Sequence, residues 1–175
     1  MKKVISLALY LMLGSFVLTG CSDNNEPFTQ REYTADVSQI EEINIDVCDR
    51  EIEVSISENN QIHIVYFENS KETYDITVSD ESELVMTSVS NKDWKDYVGV
   101  KPSAENRKIS LQIPNALLNT LILSTTNEDI SLPALAVTGN ISISSNGGNI
   151  TFDKLNIENS ITLTAKNGNI FGAIV

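Results

Sequence analysis

LILSTTNEDISL (residues 121–132), ISISSNGGNITF (141–152) and ITLTAKNGNIFG (161–172) align without gaps at an offset of twenty residues. In each stretch aliphatic residues alternate with Ser, Thr or Asn, a period of two that predicts strands with one buried face. The Asn-Gly and Gly-Gly pairs in the second and third stretches favour corners, since glycine adopts positive φ angles without strain. Each unit therefore predicts two short strands joined by a corner.

Two strands and a corner per unit could form either the hairpins of a β-sandwich or the coils of a solenoid. A sandwich has little reason to repeat its sequence in register, whereas a solenoid stacks like residues on like and buries a continuous aliphatic column. The register does repeat, at Leu121/Ile141/Ile161, Leu123/Ile143/Leu163, Ile130/Ile150/Ile170 and Leu135/Leu155/Val175. We therefore predict an all-β fold, a single-stranded β-solenoid or parallel β-helix with coils of twenty residues.

The first half of the chain keeps the alternation and loses the register. No window of about eleven residues predicts an amphipathic helix. We therefore expect a solenoid domain over residues 37–175 whose N-terminal half is degenerate. The alternating apolar residues of that half occur at Ile43–Val47, Ile52–Ile56, Ile62–Tyr66, Tyr74–Val78, Leu84–Met86 and Ile109–Ile113.

The N-terminus has the features of an export signal. Met1-Lys2-Lys3 precedes an apolar run from Val4 to Val17, which is too short to span a bilayer comfortably. Leu18-Thr19-Gly20-Cys21 follows and resembles the lipobox of bacterial lipoproteins. The resemblance implies a signal peptide over residues 1–20, a diacylglyceryl group on Cys21 and a flexible tether over residues 21–36. It places the protein on the outer face of the cytoplasmic membrane, or on a membrane facing the periplasm. An ordinary cleaved signal with an incidental cysteine is the alternative.

The composition excludes several classes of function. The chain has 24 acidic and 12 basic residues, and its net charge of −12 makes nucleic acid an unsuitable partner, because phosphate binding needs clustered Lys and Arg. Residues 1–20 hold two of the basic residues and none of the acidic ones, so the mature charge is 10 − 24 = −14. Anionic headgroups would repel such a body, so we expect it to stand off the membrane. Two cysteines are too few for a disulfide-stapled scaffold.

Asn91–Tyr97 is the irregular stretch of most interest for function. Trp94 and Tyr97 stand among mixed charges in a long connection, a setting common in carbohydrate and peptide recognition. The same residues could instead cover an open end of the solenoid, where strand edges need protection. The sequence favours covering or packing, with ligand contact as the alternative.

No stretch predicts a catalytic, cofactor or metal site. Calcium needs six or more oxygen ligands, several of them carboxylates, whereas the corners of the second and third repeats offer amides and glycines, so we expect ladders of stacked amides there. A pectate-lyase-like reaction would need grouped acids and a basic residue, and from residue 121 onward the only cations are Lys154 and Lys166. Cys48 is expected to be a buried, inert thiol in a strand, and His63 is expected to face solvent.

Several of these features together resemble a known family. They are the lipobox, the alternating strands, Ile109-Ser110-Leu111-Gln112-Ile113-Pro114, and the Asn-Glu-Asp-Ile and Asn-Gly-Asn-Ile turns of the repeats. Over roughly residues 40–175 the chain resembles the bacterial envelope proteins named putative adhesins with β-strand repeats. The resemblance implies a β-solenoid on the outer side of the membrane, linked in some members to envelope-stress responses, with no catalytic residues to carry over.

The expected function is that of a non-catalytic binding or structural module of the cell envelope. Its partners would be the membrane, through the lipid on Cys21, and cell-wall or host-surface polymer, contacted through the solenoid flank or the Trp94–Tyr97 loop. An accessory of envelope-stress sensing that contacts a membrane protein is the alternative, and a polysaccharide-cleaving β-helix enzyme is a third interpretation. Residues 171–175 are apolar, so either the reading frame is truncated or a partner or second copy covers this edge.

Overall fold

The structure is a computed structural model that describes residues 26–80, 82–97, 101–115 and 119–175. In these ranges the chain is all-β, as predicted, and its helical segments are short 3-10 turns at Val37–Gln39, Trp94–Tyr97 and Glu105–Arg107. None of the described helical segments has the length and hydropathy to cross a membrane. The strands, numbered along the chain, are β1 Thr29–Asp36, β2 Glu42–Asp46, β3 Glu51–Ile56, β4 Gln61–Glu68, β5 Glu72–Val78, β6 Glu83–Ser90, β7 Lys108–Ile113, β8 Thr120–Thr125, β9 Ile130–Leu132, β10 Leu135–Val137, β11 Asn140–Ser145, β12 Ile150–Ile157, β13 Ser160–Ala165 and β14 Ile170–Ile174.

The strands form two sheets whose inner faces enclose one aliphatic core. The larger sheet runs β1-β4-β7-β3-β9-β12, with β10 and β14 also paired to β12, and the smaller runs β5-β6-β2-β8-β11-β13. Because side chains alternate across a strand, every second residue enters the core, and its removal from water stabilises the fold. The buried set includes Ile43, Ile52, Leu84, Ile109 and Leu121.

The C-terminal repeats stack as parallel coils. Leu121 of β8 lies beside Ile141 of β11, which lies beside Ile161 of β13, and the strands after the corners pair with the same offset of twenty residues. Like residues therefore form columns, as the repeat predicts. The columns are closed in the inner coils and open in the last, where Ile161 is half-buried and Ile170 is 41 % exposed.

Spatial order and chain order differ in the N-terminal half. β2 and β3 form a coil that stacks on the β8–β9 coil, with Ile43 beside Leu121. On the other side β2 pairs with β6 and β3 with β7, again in parallel. The coil formed by β6 and β7 therefore lies outside the β2–β3 coil, although it comes later in the chain. Residues 57–119, which include the outer coil of β6 and β7, therefore separate β3 from β8, although β3 pairs with β9 and β2 with β8.

The parallel pairing predicted for the whole domain does not extend to the outermost strands. β1 pairs with β4, β4 with β7 and β5 with β6 in antiparallel fashion. Of these pairs, only β5 and β6 are consecutive strands joined by a short connection, which antiparallel pairing permits. The edge strands β1 and β5 carry charged residues such as Arg31, Glu32 and Asp75, and these discourage pairing with another sheet edge. The fold is therefore β-solenoid-like, with an antiparallel cap at the end where the described chain begins.

The corners of the C-terminal coils are joined by the predicted side-chain ladder. The Asn149 backbone N–H donates to Asp129 Oδ1 at 2.7 Å, and the Asn169 backbone N–H donates to Asn149 Oδ1 at 3.0 Å. Each rung satisfies a backbone donor at a corner, where no strand neighbour is available. The ladder therefore holds successive corners in register.

Glycine has a different role at these corners from the predicted one. Gly147, Gly148 and Gly168 do not have positive φ angles. Successive coils lie so close that a Cβ atom on Gly148 would stand 2.0 Å from the Glu128 carbonyl oxygen. Close backbone approach therefore explains these glycines, and a positive φ of 54° occurs instead at Asp49, in the β2–β3 corner.

Candidate functional site

The connection between β6 and β7 is the irregular feature of the coil stack. The corners between β2 and β3, β8 and β9, β11 and β12, and β13 and β14 are each four residues long, whereas residues 91–107 place seventeen residues at the same position. This connection contains Trp94 and Tyr97, the two residues predicted to form a binding loop. A long connection on a rigid β scaffold is a common location for binding residues.

Trp94 and Tyr97 begin and end one 3-10 turn of this connection. Trp94 is 74 % exposed, so its indole covers little of the solenoid and the capping interpretation does not account for it. The Tyr97 side chain lies outside the part of the chain that the structure describes. Their role in ligand contact stays a prediction.

A groove of about 300 Å³ opens beside the connection. Its walls come from residues 26–28 before β1, from the β4–β5 turn and the start of β5, and from residues 92, 96, 101–103 and 106 of the long connection. Its lining mixes acidic, basic and amide side chains with Pro27, Phe28 and Pro102. This volume lies at the lower end of the range for small-ligand sites.

The floor of the groove rests on a buried charged cluster that the sequence does not reveal. Arg50 is 4 % exposed, and its Nη2 lies 3.0 Å from Glu72 Oε2. The Arg50 Nε donates to the Tyr74 hydroxyl at 2.6 Å, and its Nη1 donates to the Asp49 carbonyl at 3.0 Å. Lys92, from the long connection, forms an ion pair with the other Glu72 oxygen.

The cluster keeps a positive charge at its centre. Burial opposes the charge of Arg50, but Tyr74 and Glu72 outweigh it and raise the pKa of the guanidinium. Burial also raises the pKa of the Tyr74 phenol, against the opposing effect of Arg50, so the hydroxyl stays neutral and accepts the Arg50 hydrogen bond. The guanidinium therefore ties the β2–β3 corner to β5.

Asp49 connects the same corner to the next coil. Its Oδ1 accepts hydrogen bonds from Thr126 Oγ1 at 2.9 Å and from Asn127 Nδ2 at 2.5 Å. Burial acts to raise the pKa of Asp49, but these hydrogen bonds, with Lys101 and Arg50, outweigh burial and lower the pKa. The carboxylate thus continues the corner ladder toward the groove.

Ion pairs at both ends fix the long connection against the body. Lys71 pairs with Asp96, and the hydrogen bond between them raises the pKa of Lys71 and lowers that of Asp96. Arg107 pairs with Glu128 of the β8–β9 corner, and Lys101 lies 3.5 Å from the same carboxylate. The two described parts of the connection, residues 91–97 and 101–107, are therefore each tied to the body by ion pairs.

The structure contradicts the expectation that Cys48 is buried and agrees with the expectation that His63 lies on the outer face of its strand. Cys48 is exposed rather than buried, because Val47, just past the end of β2, is the buried residue and the alternation places Cys48 on the opposite face. His63 lies on the face opposite the buried Ile62 and Ile64, as alternation predicts, and its side chain is 29 % exposed. Its Nε2 lies 3.4 Å from Glu32 Oε2.

The predicted lipobox lies outside the residues that the structure describes. Leu18, Thr19, Gly20 and Cys21 precede the described residues, so the lipobox and the acylation of Cys21 stay predictions. In the described ranges, no three or more His, Cys, Asp and Glu side chains are grouped so that they could hold a metal ion. The arrangement at the groove is suited to binding, because its carboxylates and ammonium groups are set in ion pairs around a cavity.

A family model matches residues 40–172, which is more than half of the chain. The chain belongs to the Toastrack DUF4097 family. The Toastrack domain is β-solenoid-like, in agreement with the fold described above, and includes the seventeen-residue connection. The groove wall formed by residues 26–28 lies before the matched range, so the groove is completed by a segment outside the Toastrack match.

Solved structures similar to this Toastrack chain come from bacteria and have low sequence identity. A putative cell adhesion protein from Clostridium sporogenes is 10 % identical over 85 % of this chain and 100 % of its own, with a TM-score of 0.47. A putative adhesin from Bacteroides fragilis is 12 % identical over 86 % and 98 %, with a TM-score of 0.33. A putative lipid binding protein from Parabacteroides distasonis is 18 % identical over 81 % and 59 %, with a TM-score of 0.36. No curated protein matches the chain.

Proposed function

We propose that the protein is a non-catalytic binding module of the bacterial cell envelope. It is exported, held at the membrane by lipid on Cys21, and contacts another envelope component through the groove and Trp94. In this proposal the coils from β8 to β14 are turns of a parallel β-helix that supports the site. The observation that carries the proposal is the 74 % exposed indole of Trp94 on a connection far longer than the other corners, a connection whose Lys92, Asp96 and Lys101 also line a groove.

An exposed tryptophan on a held connection favours binding over a structural role. A large aromatic ring gains free energy when a ligand covers it, because its apolar faces leave water and its N–H can donate a hydrogen bond. Because the ion pairs of Lys71 and Arg107 hold the connection, less conformational entropy is lost on binding. Glu72 and Asp96 are set against cations, an arrangement that supports ligand binding rather than proton transfer.

The binding test uses residues 22–175 without lipid, in pull-downs against isolated cell wall, capsule, host-matrix and lipid-vesicle fractions. Trp94→Ala is expected to weaken saturable binding severalfold while leaving stability unchanged, because the indole is mostly exposed. Phe171→Ala is the matched control, an aromatic that is 59 % exposed on the far coil. If Trp94→Ala and Phe171→Ala weaken binding equally, the contact lies on the solenoid flank rather than at Trp94. If the protein binds none of the fractions, the proposal is overturned.

The anchor is tested separately from the site. Mass spectrometry of the protein extracted from membranes should find a diacylglyceryl-modified N-terminal Cys21, and Cys21→Ser should release the protein into the soluble fraction. An unmodified protein that begins beyond Cys21 would contradict the lipoprotein assignment while leaving the groove as a binding site.

A further inference from the structure

The groove lies close to the predicted lipid anchor. Glu26 lines the groove, its carboxylate contacts the Ser70 hydroxyl, and its carbonyl accepts a hydrogen bond from Asn69 Nδ2 at 3.5 Å. Five residue steps separate Cys21 from Glu26. A fully extended chain spans at most about 3.6 Å per residue, so Glu26 lies within about 18 Å of Cys21. A lipid on Cys21 therefore keeps the groove near the bilayer surface.

The solenoid extends away from this end. The smaller sheet runs from β5, whose first residue lines the groove, through six strands to β13. Strands lie about 4.8 Å apart, so β13 is roughly 24 Å from β5 across the sheet. The last coil is thus the part of the stack farthest from the groove, and a ligand on a distant surface would meet that coil more readily.

The groove has a charge balance unlike that of the whole chain. It is lined by three carboxylates and three ammonium groups, whereas the chain has a net charge of −12. Three of the six side chains are exposed: Glu26 from the segment before β1, Lys71 at 47 %, and Lys101 from the long connection at 67 %. Lys71 is paired with Asp96 at 2.5 Å, whereas Lys101 lies 3.5 Å from Glu128, so Glu26 and Lys101, on different walls, are the more available to a ligand. Phe28 and Pro102 add apolar surface. These features suit a small ligand that carries both a positive and a negative group.

We propose that the groove binds the zwitterionic headgroup of a phospholipid in the bilayer that anchors the protein. Lys101 meets the phosphate and Glu26 meets the amine, while Phe28 contacts the glycerol region. The acidic body is repelled by anionic lipids, which leaves zwitterionic lipids as the favourable partners. This proposal rests on the anchoring of Cys21 and on the groove as the binding site, both part of the proposed function.

The test uses the intrinsic fluorescence of Trp94, which is the chain's single tryptophan. Full-length lipidated protein is reconstituted into phosphatidylcholine and phosphatidylethanolamine vesicles that contain a small fraction of lipid with a nitroxide quencher on the headgroup. Quenching of Trp94 is expected, together with relief by soluble glycerophosphocholine, because the free headgroup competes for the groove. Adding unlabelled phosphatidylglycerol to the bilayer should relieve the quenching less than adding the same amount of unlabelled phosphatidylcholine.

A matched pair of variants separates headgroup binding from simple proximity. Glu26→Gln with Lys101→Gln removes one acid and one base from the groove, and the competitor concentration for half-relief should rise about tenfold, as expected for losing charged hydrogen bonds. Glu158→Gln with Lys166→Gln makes the same change at exposed positions of the far coils and should have no effect.

Several results would overturn the headgroup proposal. Quenching that glycerophosphocholine does not relieve, or relief that is the same in the groove variant, would show proximity without binding. An acylated, membrane-bound protein with unquenched Trp94 would show that the long connection, whose Asp96 and Lys101 line the groove, stays away from the headgroups. Binding of residues 22–175 to cell wall but not to vesicles would keep the proposed function and reject the headgroup as the ligand. An absent acyl group would instead be a failure of the proposed anchor.

Discussion

Replacing Arg50 with alanine should destabilise the fold far more than removing an arginine from an exposed ion pair. Arg50 makes three polar contacts at 2.6–3.0 Å, and the pair with Glu72 has side-chain exposures of only 5 % and 11 %. Removing one partner of a buried pair leaves the other charge poorly compensated and typically costs about 3–5 kcal/mol. For a domain of this size that loss lowers the melting temperature by roughly 6–20 °C.

Arg31→Ala is the matched control for Arg50→Ala. The Arg31–Glu68 pair has a similar separation, 2.8 Å, but its side chains are 39 % and 21 % exposed. Solvent screening limits such pairs to about 1 kcal/mol or less.

Urea denaturation of residues 22–175, followed by circular dichroism, measures the loss of unfolding free energy in both variants. Equal losses in the two variants would refute the argument that burial makes the Arg50 cluster a structural tie between the β2–β3 corner and β5.

Three further predictions concern the corners. Gly148→Ala should lower the free energy of unfolding by more than 2 kcal/mol, roughly the scale of core overpacking, because its Cβ would stand 2.0 Å from the Glu128 carbonyl oxygen. Gly147→Ala, whose Cβ would meet its nearest neighbour at 3.0 Å, should cost less in the same urea titration, and equal costs would contradict the close-approach explanation. The pKa of Asp49 is lowered in the folded state, so its carboxylate stabilises the fold at pH values above the ordinary carboxyl pKa of 3.8, and this contribution is lost as the pH falls through the lower folded pKa. Asp49→Asn should therefore make the free energy of unfolding fall less steeply at acidic pH. An unchanged dependence on pH would contradict the role given to Asp49. Cys48 should react with a thiol reagent in native residues 22–175 as fast as in the denatured chain, whereas strong protection would contradict its exposure.

The regular half of the fold was predictable in detail. The columns that contain Leu121, Ile141 and Ile161 lie in the register that the repeat predicts, and so does the ladder from Asp129 to Asn169. The role of the corner glycines was predicted wrongly, because a glycine needed for close approach and one needed for a positive φ look the same in a sequence.

The site was predictable only as a segment. Trp94 could be singled out because an aromatic residue among charges in a long connection is unusual for a solenoid. Arg50, Glu72 and Tyr74 could not, since they lie on separate strands and carry no shared spacing. Cys48 was assigned to a strand because alternation continues past Asp46 in the sequence, although the strand ends there.

The repeating period, the alternation of apolar residues and the corner amides follow from local chemistry, because stacking like residues on like requires the same residue types every twenty positions. The order of coils in the first half follows no period: β6 lies beside β2 with Glu42 opposite Glu83, and β7 lies beside β3 with Glu51 opposite Lys108, at different sequence offsets. Long-range pairing of this kind depends on which buried surfaces fit together in the folded chain, and a linear pattern does not encode it. The buried Arg50–Glu72 cluster and the groove above it arise from that pairing, which brings residues from the start of the described chain, β5 and the long connection to one place.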